Sequence, residues 1–534
     1  MGKTSKSVSP QAIKIINLYI KLANRLGFHP TRSDLINQGV SLDTIRWYFG
    51  NFSTLKEIVT KNYSKSLTSV IDPDFFKSEK LAAIKKDIQT HKRFVITTAV
   101  TGCSVDKEFY KSIKNYCNKN KAKLLILLSS DPGSKINVAI DPVIKNEHIV
   151  FSDVSLNSNF FISTIKLTAK QIDPVTSLAR IGQRSGSFVY ASPKQRLLTA
   201  PTSNEKMPHV LMTTGAITKP EYLPRKYMNA RTSYIAHHDH VVGAVIVEIE
   251  NDDIYHYRQI QSNSKGEFVD LGICYSEKTA TKMNPEAFVL GDSHVTETDE
   301  SAEKAWEEVF DYTGCKDVIL HDMFSGVSIN HHEEHNKINR ARLAMENKLS
   351  LMDELKAVGR FIDKWTDKAR KVIIVDSNHH DFLSKHYLQK GKYIEDPQNH
   401  YLGCLLAAAM LEGKNPLQYA MEKIVKIKNP QKVLWLKRDQ DYKIAGIELG
   451  CHGDKGSNGS RGSLRAMENA YGNSVSGHAH TPMILRGAWQ VGTSSHLKLD
   501  YNQGPSSWLH TSCLVYKNGS RQLINSIRGH WKVK

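Results

Sequence analysis

Between residues 288 and 480, five short segments each pass from one or more apolar residues into a polar loop carrying Asp, Asn or His. The first is Phe288-Val289-Leu290-Gly291-Asp292-Ser293-His294, the second Val318-Ile319-Leu320-His321-Asp322. The third is Ile373-Ile374-Val375-Asp376-Ser377-Asn378-His379-His380, the fourth Leu449-Gly450-Cys451-His452-Gly453-Asp454, and the fifth Val475-Ser476-Gly477-His478-Ala479-His480. An apolar run of this length reads as a buried strand, and the loop after it is held by the sheet at a place where α/β enzymes put ligands. One such loop means little. Five in order constrain this part of the chain to an α/β fold that gathers carboxylates and imidazoles. The bland alternative, loop-capping aspartates and core histidines, must produce the same pattern five times.

Imidazole and carboxylate together suit manganese, iron or zinc, and a shared carboxylate can bridge two cations. Two divalent ions about 3.5–4 Å apart clamp the attacking and leaving oxygens of an in-line displacement and acidify bound water. A phosphate ester needs such help, because its negative charge repels free hydroxide.

The rest of the chain supplies a second constraint, charge. Up to Leu125 there are 22 Lys and Arg against 9 Asp and Glu, a net +13 out of +18 for all 534 residues. A concentrated basic end is the footprint of a polyanionic partner, read here as nucleic acid; a solvated lysine-rich surface or attraction to anionic lipid are the alternatives. Residues 9–60 read as three short helices, 9–26, 32–38 and 41–49, with Gly39 in a turn and Ser41 as an N-cap. A short helix, a glycine turn and a helix bearing Thr44, Arg46, Trp47 and Tyr48 suggest a helix-turn-helix, with Arg46 and Trp47 facing DNA. A three-helix oligomerisation module would show the same pattern. The stretch 30–55 resembles the small helical DNA-binding repeats found beside some phage and homing endonucleases.

Length implies two or three domains. The expected organisation is a helical module over 1–70, a helical linker over 71–91, an α/β and β-rich accessory region over 92–285, and a catalytic domain over 286–534 with a helical insertion near 398–426. In the accessory region, strands at 94–100 and 123–129 flank an amphipathic helix at 106–118. In the catalytic domain, a helix at 351–365 leads into a strand at 372–375, and strands follow at 433–436 and 443–449. A composition of 40% hydrophobic and 24% charged residues fits a globular protein. No apolar run approaches the ~20 residues that cross a bilayer, and 124–128 has the length of a buried strand. No secretory core opens the chain, and Lys6 stands where a myristoylation signal after Gly2 takes Ser or Thr. Seven cysteines without a CxxC pair argue for free thiols. A cytoplasmic protein with no membrane partner is expected. A homo-oligomer is compatible with the sequence, which carries no signal for a stoichiometry.

Three other clusters compete for attention. His332-Glu333-Glu334-His335 is one residue short of the zincin spacing and reads as a solvated helix start, with His331 and His335 on one face. The glycine-rich loop 453–462, with Lys455 and Arg461, lacks the Gly-Lys-Ser/Thr ending of a Walker motif and is a candidate substrate-backbone contact. His237, His238 and His240 read as surface histidines.

The order and spelling of the five loops resemble the calcineurin-like metallophosphoesterases, whose signature runs Asp-x-His, Gly-Asp, Gly-Asn-His-Asp/Glu, a lone His and Gly-His-x-His. The resemblance covers about 290–500, including Val491-Gly492-Thr493-Ser494 after the last motif. It implies a β-sandwich flanked by helices, and two divalent ions, manganese or alternatively magnesium. Metal one would be held by Asp292, His294, Asp322 and His480; metal two would share Asp322 and add Asn378, His452 and His478. His379 would be the general acid, oriented by His380 or Asp381. This chain departs from the pattern at His321, which replaces glycine before the bridging Asp322, in the absence of that motif's second Asp, and at Ser377 and His380. Over its full length the chain is similar to the first-step-transfer DNases of T-odd tailed phages, which implies a DNase acting on host DNA in the bacterial cytoplasm. A phosphomonoesterase or protein phosphatase with the same site, or a non-catalytic DNA-binding protein with a degenerate fold, are the alternative readings.

Overall fold

The structure, a computed structural model, describes residues 9–26, 29–63, 66, 73–129, 140–165, 167, 171–203, 207–222, 230–499 and 502–533. Gly2, Lys6 and the outer parts of the 1–70 module and of the 71–91 linker lie outside the described residues.

The N-terminal module has four helices where three were expected: Pro10–Leu26, Arg32–Ile36, Leu42–Phe49 and Phe52–Asn62. Ala12, Ile16, Tyr19 and Ala23 recur at helical spacing on the first and meet Leu35, Ile45, Phe49, Leu55 and Val59 in one small core. Ser41 caps the third helix by accepting from the Thr44 amide at 3.1 Å. The fourth arises because Gly50, at φ 76°, ends the third and Asn51 at once caps a new one, accepting from the Thr54 amide at 2.9 Å. Helix Pro73–Thr90 occupies the expected linker.

Two sheets position the loops of interest. The first is six-stranded, in the order Val433–Trp435, Lys371–Ile374, Asp317–Leu320, Ala287–Val289, Thr511–Val515, Arg521–Asn525. Its first four strands are mutually parallel, and helices Glu300–Thr313 and Leu351–Lys368 make two of the crossovers. Parallel strands end on the same side, so the loops bearing Asp292, Asp322 and Asn378 emerge together. The second sheet is ten-stranded, and its parallel strands Ile447–Glu448 and Ser474–Ser476 lead into the loops with His452 and His478. Ala287, Val289, Ile319, Ile373 and Val375 of the first sheet share a core with Leu449, Val475, Trp489 and Val491 of the second. Each such buried side chain contributes roughly 1.5–3 kcal/mol, so the two sets of loops are held by a stiff layer.

The ten-stranded sheet crosses the boundary drawn at 285/286: Met483–Leu485 pairs antiparallel with Arg196–Ala200, and His209–Thr213, Ser187–Tyr190, Phe160–Ser163 and Val154–Ser155 extend it. The free edge of Met483–Leu485 needs a partner, and Thr199 also donates to the Pro482 carbonyl at 2.9 Å. The single strand expected at 443–449 is a hairpin, Lys443–Ile444 with Ile447–Glu448, because Ala445 and Gly446 adopt φ of 50° and 78°. The helical insertion consists of His400–Leu411, Pro416–Tyr419 and a π-turn at Ala420–Val425, packed through Leu402, Leu406, Leu417 and Met421. In the accessory region, Arg93–Val100 and Ala122–Ser129 pair in parallel across helix Lys107–Asn120, at the centre of a five-stranded sheet. Among the described residues, no helix is long and apolar enough to cross a membrane.

Candidate metal centre

All five loops converge. Asp292, His294, Asp322 and His480 form one group whose ligand atoms lie within 4.8 Å of one another; Asp322, His452 and His478 form a second on the same terms. Asn378 joins the second group, its Oδ1 lying 3.0 Å from His452 Nε2 and 3.1 Å from His478 Nδ1. A third group, Asp292, His321 and His452, overlaps both. His321 is fully buried with Nδ1 3.3 Å from His452 Nδ1, so it adds an imidazole to the cluster. Sequence reasoning noted it only as a departure; its position immediately before Asp322 was the available signal.

The local backbone is strained where the ligands stand. His294, Asp322, His478 and His480 have φ of 41°, 40°, 74° and 56°, in the left-handed region that side chains other than glycine seldom occupy. Gly477 lies against Asp292 Oδ1 so closely that no Cβ would fit there.

The polar atoms of the cluster do not satisfy one another. Asp292 Oδ1 and Asp322 Oδ1 are buried without a hydrogen-bond partner, although a buried carboxylate normally finds one for each oxygen. His294 Nε2 and His480 Nε2 face each other at 3.0 Å, beside Asp292 Oδ2 at 3.1 Å from the latter. Two imidazole nitrogens and a carboxylate oxygen aimed at one point suit a cation better than a proton. Electrostatics agree. Burial raises the Asp292 carboxyl, but His452 and His480 outweigh it and hold it at about 2. Burial pushes His321 down to about 4, and burial with His379 and His480 holds His294 well below the ordinary value. Neutral imidazoles and ionised carboxylates are the ligating forms. Only His452 is pushed up, to about 9: burial lowers it, but Asp322 and Asp292 prevail. The donor set thus fits divalent cations.

His379 lies at the edge of this cluster, its ring 4.5 Å from that of His294. Its Nδ1 lies 2.7 Å from the Ser325 carbonyl and donates to it, which leaves Nε2 as the second nitrogen. Neither His380 nor Asp381 orients it, as had been expected. His380 turns to Asp376, 3.2 Å from Oδ1, and Asp381 pairs with Lys385 and Arg438. Arg438 binds both oxygens of Asp454, at 3.2 and 2.8 Å, and donates to the Asp376 carbonyl at 2.9 Å, tying the third loop to the fourth. Trp508 packs its ring 4.1 Å from that of His480. A cavity of about 660 Å³ opens beside His294, Asn378 and His379, with Arg342, Lys348 and Lys498 on its wall.

The competing clusters resolve otherwise. Residues 331–335 form turns and bends, with Asn336 capping a helix that begins only at Lys337, and the His331 ring stacks on His386 at 3.9 Å. His240 is no surface histidine: it is half-buried between the Tyr222 hydroxyl at 2.7 Å and the Thr218 carbonyl at 2.8 Å, and burial pushes it down to about 4. Lys455 and Arg461 are exposed and face each other in a bridge across their loop. Arg46 pairs with Asp43 at 3.6 Å, and Trp47 is 65% exposed on the third helix.

No family model matches the chain, and no solved structure matches it. It is similar to Protein A1 of Escherichia phage T5, with 27% identity over an alignment of 474 residues and 83% of each chain covered.

Proposed function

We propose that this chain is a metal-dependent DNase, phage-encoded, that hydrolyses phosphodiester bonds of host DNA in the bacterial cytoplasm. The observation that carries the reading is the pair of ligand groups meeting at Asp322, each with a buried carboxylate oxygen that no protein group satisfies. The two sheets whose loops meet at this cluster support a metallophosphoesterase sandwich, with Asp292, His294, Asp322 and His480 for one ion and Asp322, Asn378, His452 and His478 for the other. Bound divalent ions, manganese or magnesium, would neutralise the phosphodiester and supply a nucleophilic water near neutral pH.

The chain's own residues do the rest. Hydrolysis joins a water oxygen to phosphorus and breaks one bond from phosphorus to a sugar oxygen, which leaves as an alkoxide in need of a proton. His379 donates that proton and takes another from solvent. To donate, the ring must be the imidazolium, with a proton on each nitrogen; Nδ1–H stays on Ser325, so the transferred proton is the one on Nε2. Arg342, Lys348 and Lys498 line the cavity beside this group and would meet the backbone phosphates on either side. DNA selection over other phosphate esters rests on the basic N-terminal end, with Arg46 and Trp47 on an exposed helix face and Lys455 and Arg461 on an exposed loop. The similarity to a phage protein supports the setting.

A plasmid-nicking assay with manganese, magnesium, zinc or EDTA, on the wild type and Asp322→Asn, tests the reading. Metal-dependent cutting lost in the variant is the expected result. Phosphomonoester hydrolysis without cutting would make the protein a phosphatase; DNA binding without hydrolysis of either ester would leave a binding protein.

A further inference from the structure

We propose that Glu354 and Phe382 are positioning residues that together lock the His379 imidazole in its proton-donating pose; the inference rests on the phosphodiesterase reading above. Glu354 lies far from the five motifs in sequence, on the first turn of helix Leu351–Lys368. Its side chain is buried, 5% exposed, and every hydrogen bond it accepts comes from one loop. Gly326 and Val327 amides donate to Oε1 at 2.6 and 3.1 Å; the Ser328 amide and hydroxyl donate to Oε2 at 3.1 and 2.6 Å. Three successive amides aimed at one carboxylate form an anion nest, here filled by the protein itself. No cation is among these partners, and burial raises the Glu354 carboxyl even though the four hydrogen bonds work against it. Burying a carboxylate in this way is expensive unless the loop it fixes has to be in one place.

That loop begins with Ser325, whose carbonyl accepts the His379 Nδ1–H at 2.7 Å. Fixing residues 326–328 therefore fixes the acceptor that sets the imidazole's rotation and tautomer. The second hold acts on the ring face. Phe382, one helical turn after His379, stacks on it with centroids 4.5 Å apart and planes 25° apart, and is itself only 7% exposed. The helix starting at Asn378 widens into a π-turn at Phe382–Leu388, a distortion that recurs at functional sites. Gly326 joins the two holds: it sits at φ 71°, and a Cβ there would come within 2.8 Å of Phe382 Cδ2. One edge of the imidazole is thus fixed through Glu354 and one face through Phe382, while the His294 ring packs against it at 70° with centroids 4.5 Å apart. Helix Leu351–Lys368 is anchored in the main core through Leu355, Val358, Ile362 and Trp365, so the chain of contacts starts from a rigid element.

The test compares two substrates in the presence of manganese. DNA expels an alkoxide that needs a proton; bis(para-nitrophenyl) phosphate expels a phenolate that does not. Glu354→Gln puts a donor where two or more donors already point, and Phe382→Leu removes the stacking face. Each is expected to lower kcat on DNA by about 10- to 100-fold with little change in KM, and to lower the aryl ester rate by less than about threefold. His379→Asn sets the reference ratio between the two substrates, and Phe382→Tyr should restore DNA cleavage. A proton NMR signal of the hydrogen-bonded His379 Nδ1–H should exchange faster with water in both variants, a readout that needs no turnover. Equal losses on both substrates, or none on either, with an unchanged Nδ1–H signal, overturn the proposal. If Glu354→Gln does not fold, the Phe382→Leu and Phe382→Tyr pair decides alone. A wild type that cleaves neither substrate removes the phosphodiesterase reading itself, and the proposal with it; a wild type that cleaves both while the variants match it removes only the positioning role.

Discussion

Two clusters of buried charge lie in this molecule, and they are built on opposite principles. In the accessory region Arg258 is fully buried between Glu248 and Asp270. Glu248 accepts from Arg93 at 3.0 Å, Arg258 at 3.1 Å and the Val533 amide at 3.1 Å. Asp270 accepts from Arg258 at 2.6 and 3.2 Å, Gln522 at 3.0 Å and Tyr116 at 3.0 Å. Every carboxylate oxygen there has a protein partner, and the atom of the ion cluster left without one is Arg258 Nη1. In the cluster around Asp322 two carboxylate oxygens have none, and imidazole nitrogens face each other. A closed cluster holds strands together; an open one keeps its polar atoms for something that arrives later. The backbone repeats the contrast, since four of the open cluster's ligands sit at positive φ.

Removing a carboxylate should separate the two most sharply. Asp322→Asn is expected to abolish metal-dependent cleavage, by about three orders of magnitude or more, which quantified nicking would measure. In the metal-free protein it should change stability by only about 1 kcal/mol, because His452 can release the proton that Asp322 and Asp292 hold on it. Glu248→Gln should do the reverse, costing about 3–5 kcal/mol in denaturant unfolding with or without metal, since it leaves Arg258 short of a counter-charge.

Metal itself is the next lever. Manganese at about 100 times its dissociation constant should stabilise the wild type by about 2.7 kcal/mol in thermal unfolding, and Glu248→Gln by the same increment over its lower baseline. A rise that persists in Asp322→Asn would mean that the ion binds elsewhere. Acid should then reach both clusters, since Asp292 is also held at about 2, and Glu248→Gln isolates the share of the closed one. Burial alone would raise Glu248, but Arg258 prevails and holds it at about 2, below its ordinary 4.5. A depressed folded-state pKa contributes stability that is present above pH 4.5 and lost as the pH falls toward 2. Unfolding at stepped pH should therefore show a loss of a few kcal/mol in that window for the wild type, and a flatter profile for Glu248→Gln. The smallest effect belongs to the exposed surface. Arg46→Glu should weaken DNA binding a few-fold and reduce the salt slope by about one, with the metal response unaltered.

The helices and strands around both clusters were largely legible in the sequence, for reasons specific to each. Gly39 and Ser41 marked the start of the third helix, and Leu351, Leu355, Val358, Ile362 and Trp365 marked a core-facing helix by their spacing. The fourth N-terminal helix was missed because Gly50-Asn51 looks like a terminus, and only the core shared with Leu55 and Val59 makes the next segment fold back. The hairpin at 443–448 was missed because Ala445 carries no turn signal; its positive φ is imposed by the pairing on either side. In the cluster, the residues that converge carried a signal in sequence because His and Asp next to apolar residues stand out. Ser325, Glu354 and Phe382 left no such mark: a backbone carbonyl, a helix-surface glutamate and a phenylalanine are unremarkable until their neighbours are known.

By itself the sequence determined which residues carry charge and imidazole, that they follow buried strands, and that the basic charge is gathered at one end, because composition and periodicity are local properties. Only the tertiary structure decided that Asp292 and Asp322 keep an unsatisfied oxygen each, that His321 joins them, that the ten-stranded sheet draws strands from both sides of residue 285, and that a glutamate on a distant helix holds the loop that orients His379. Those are statements about which atoms have partners, and partnership between residues far apart in the chain is settled by packing.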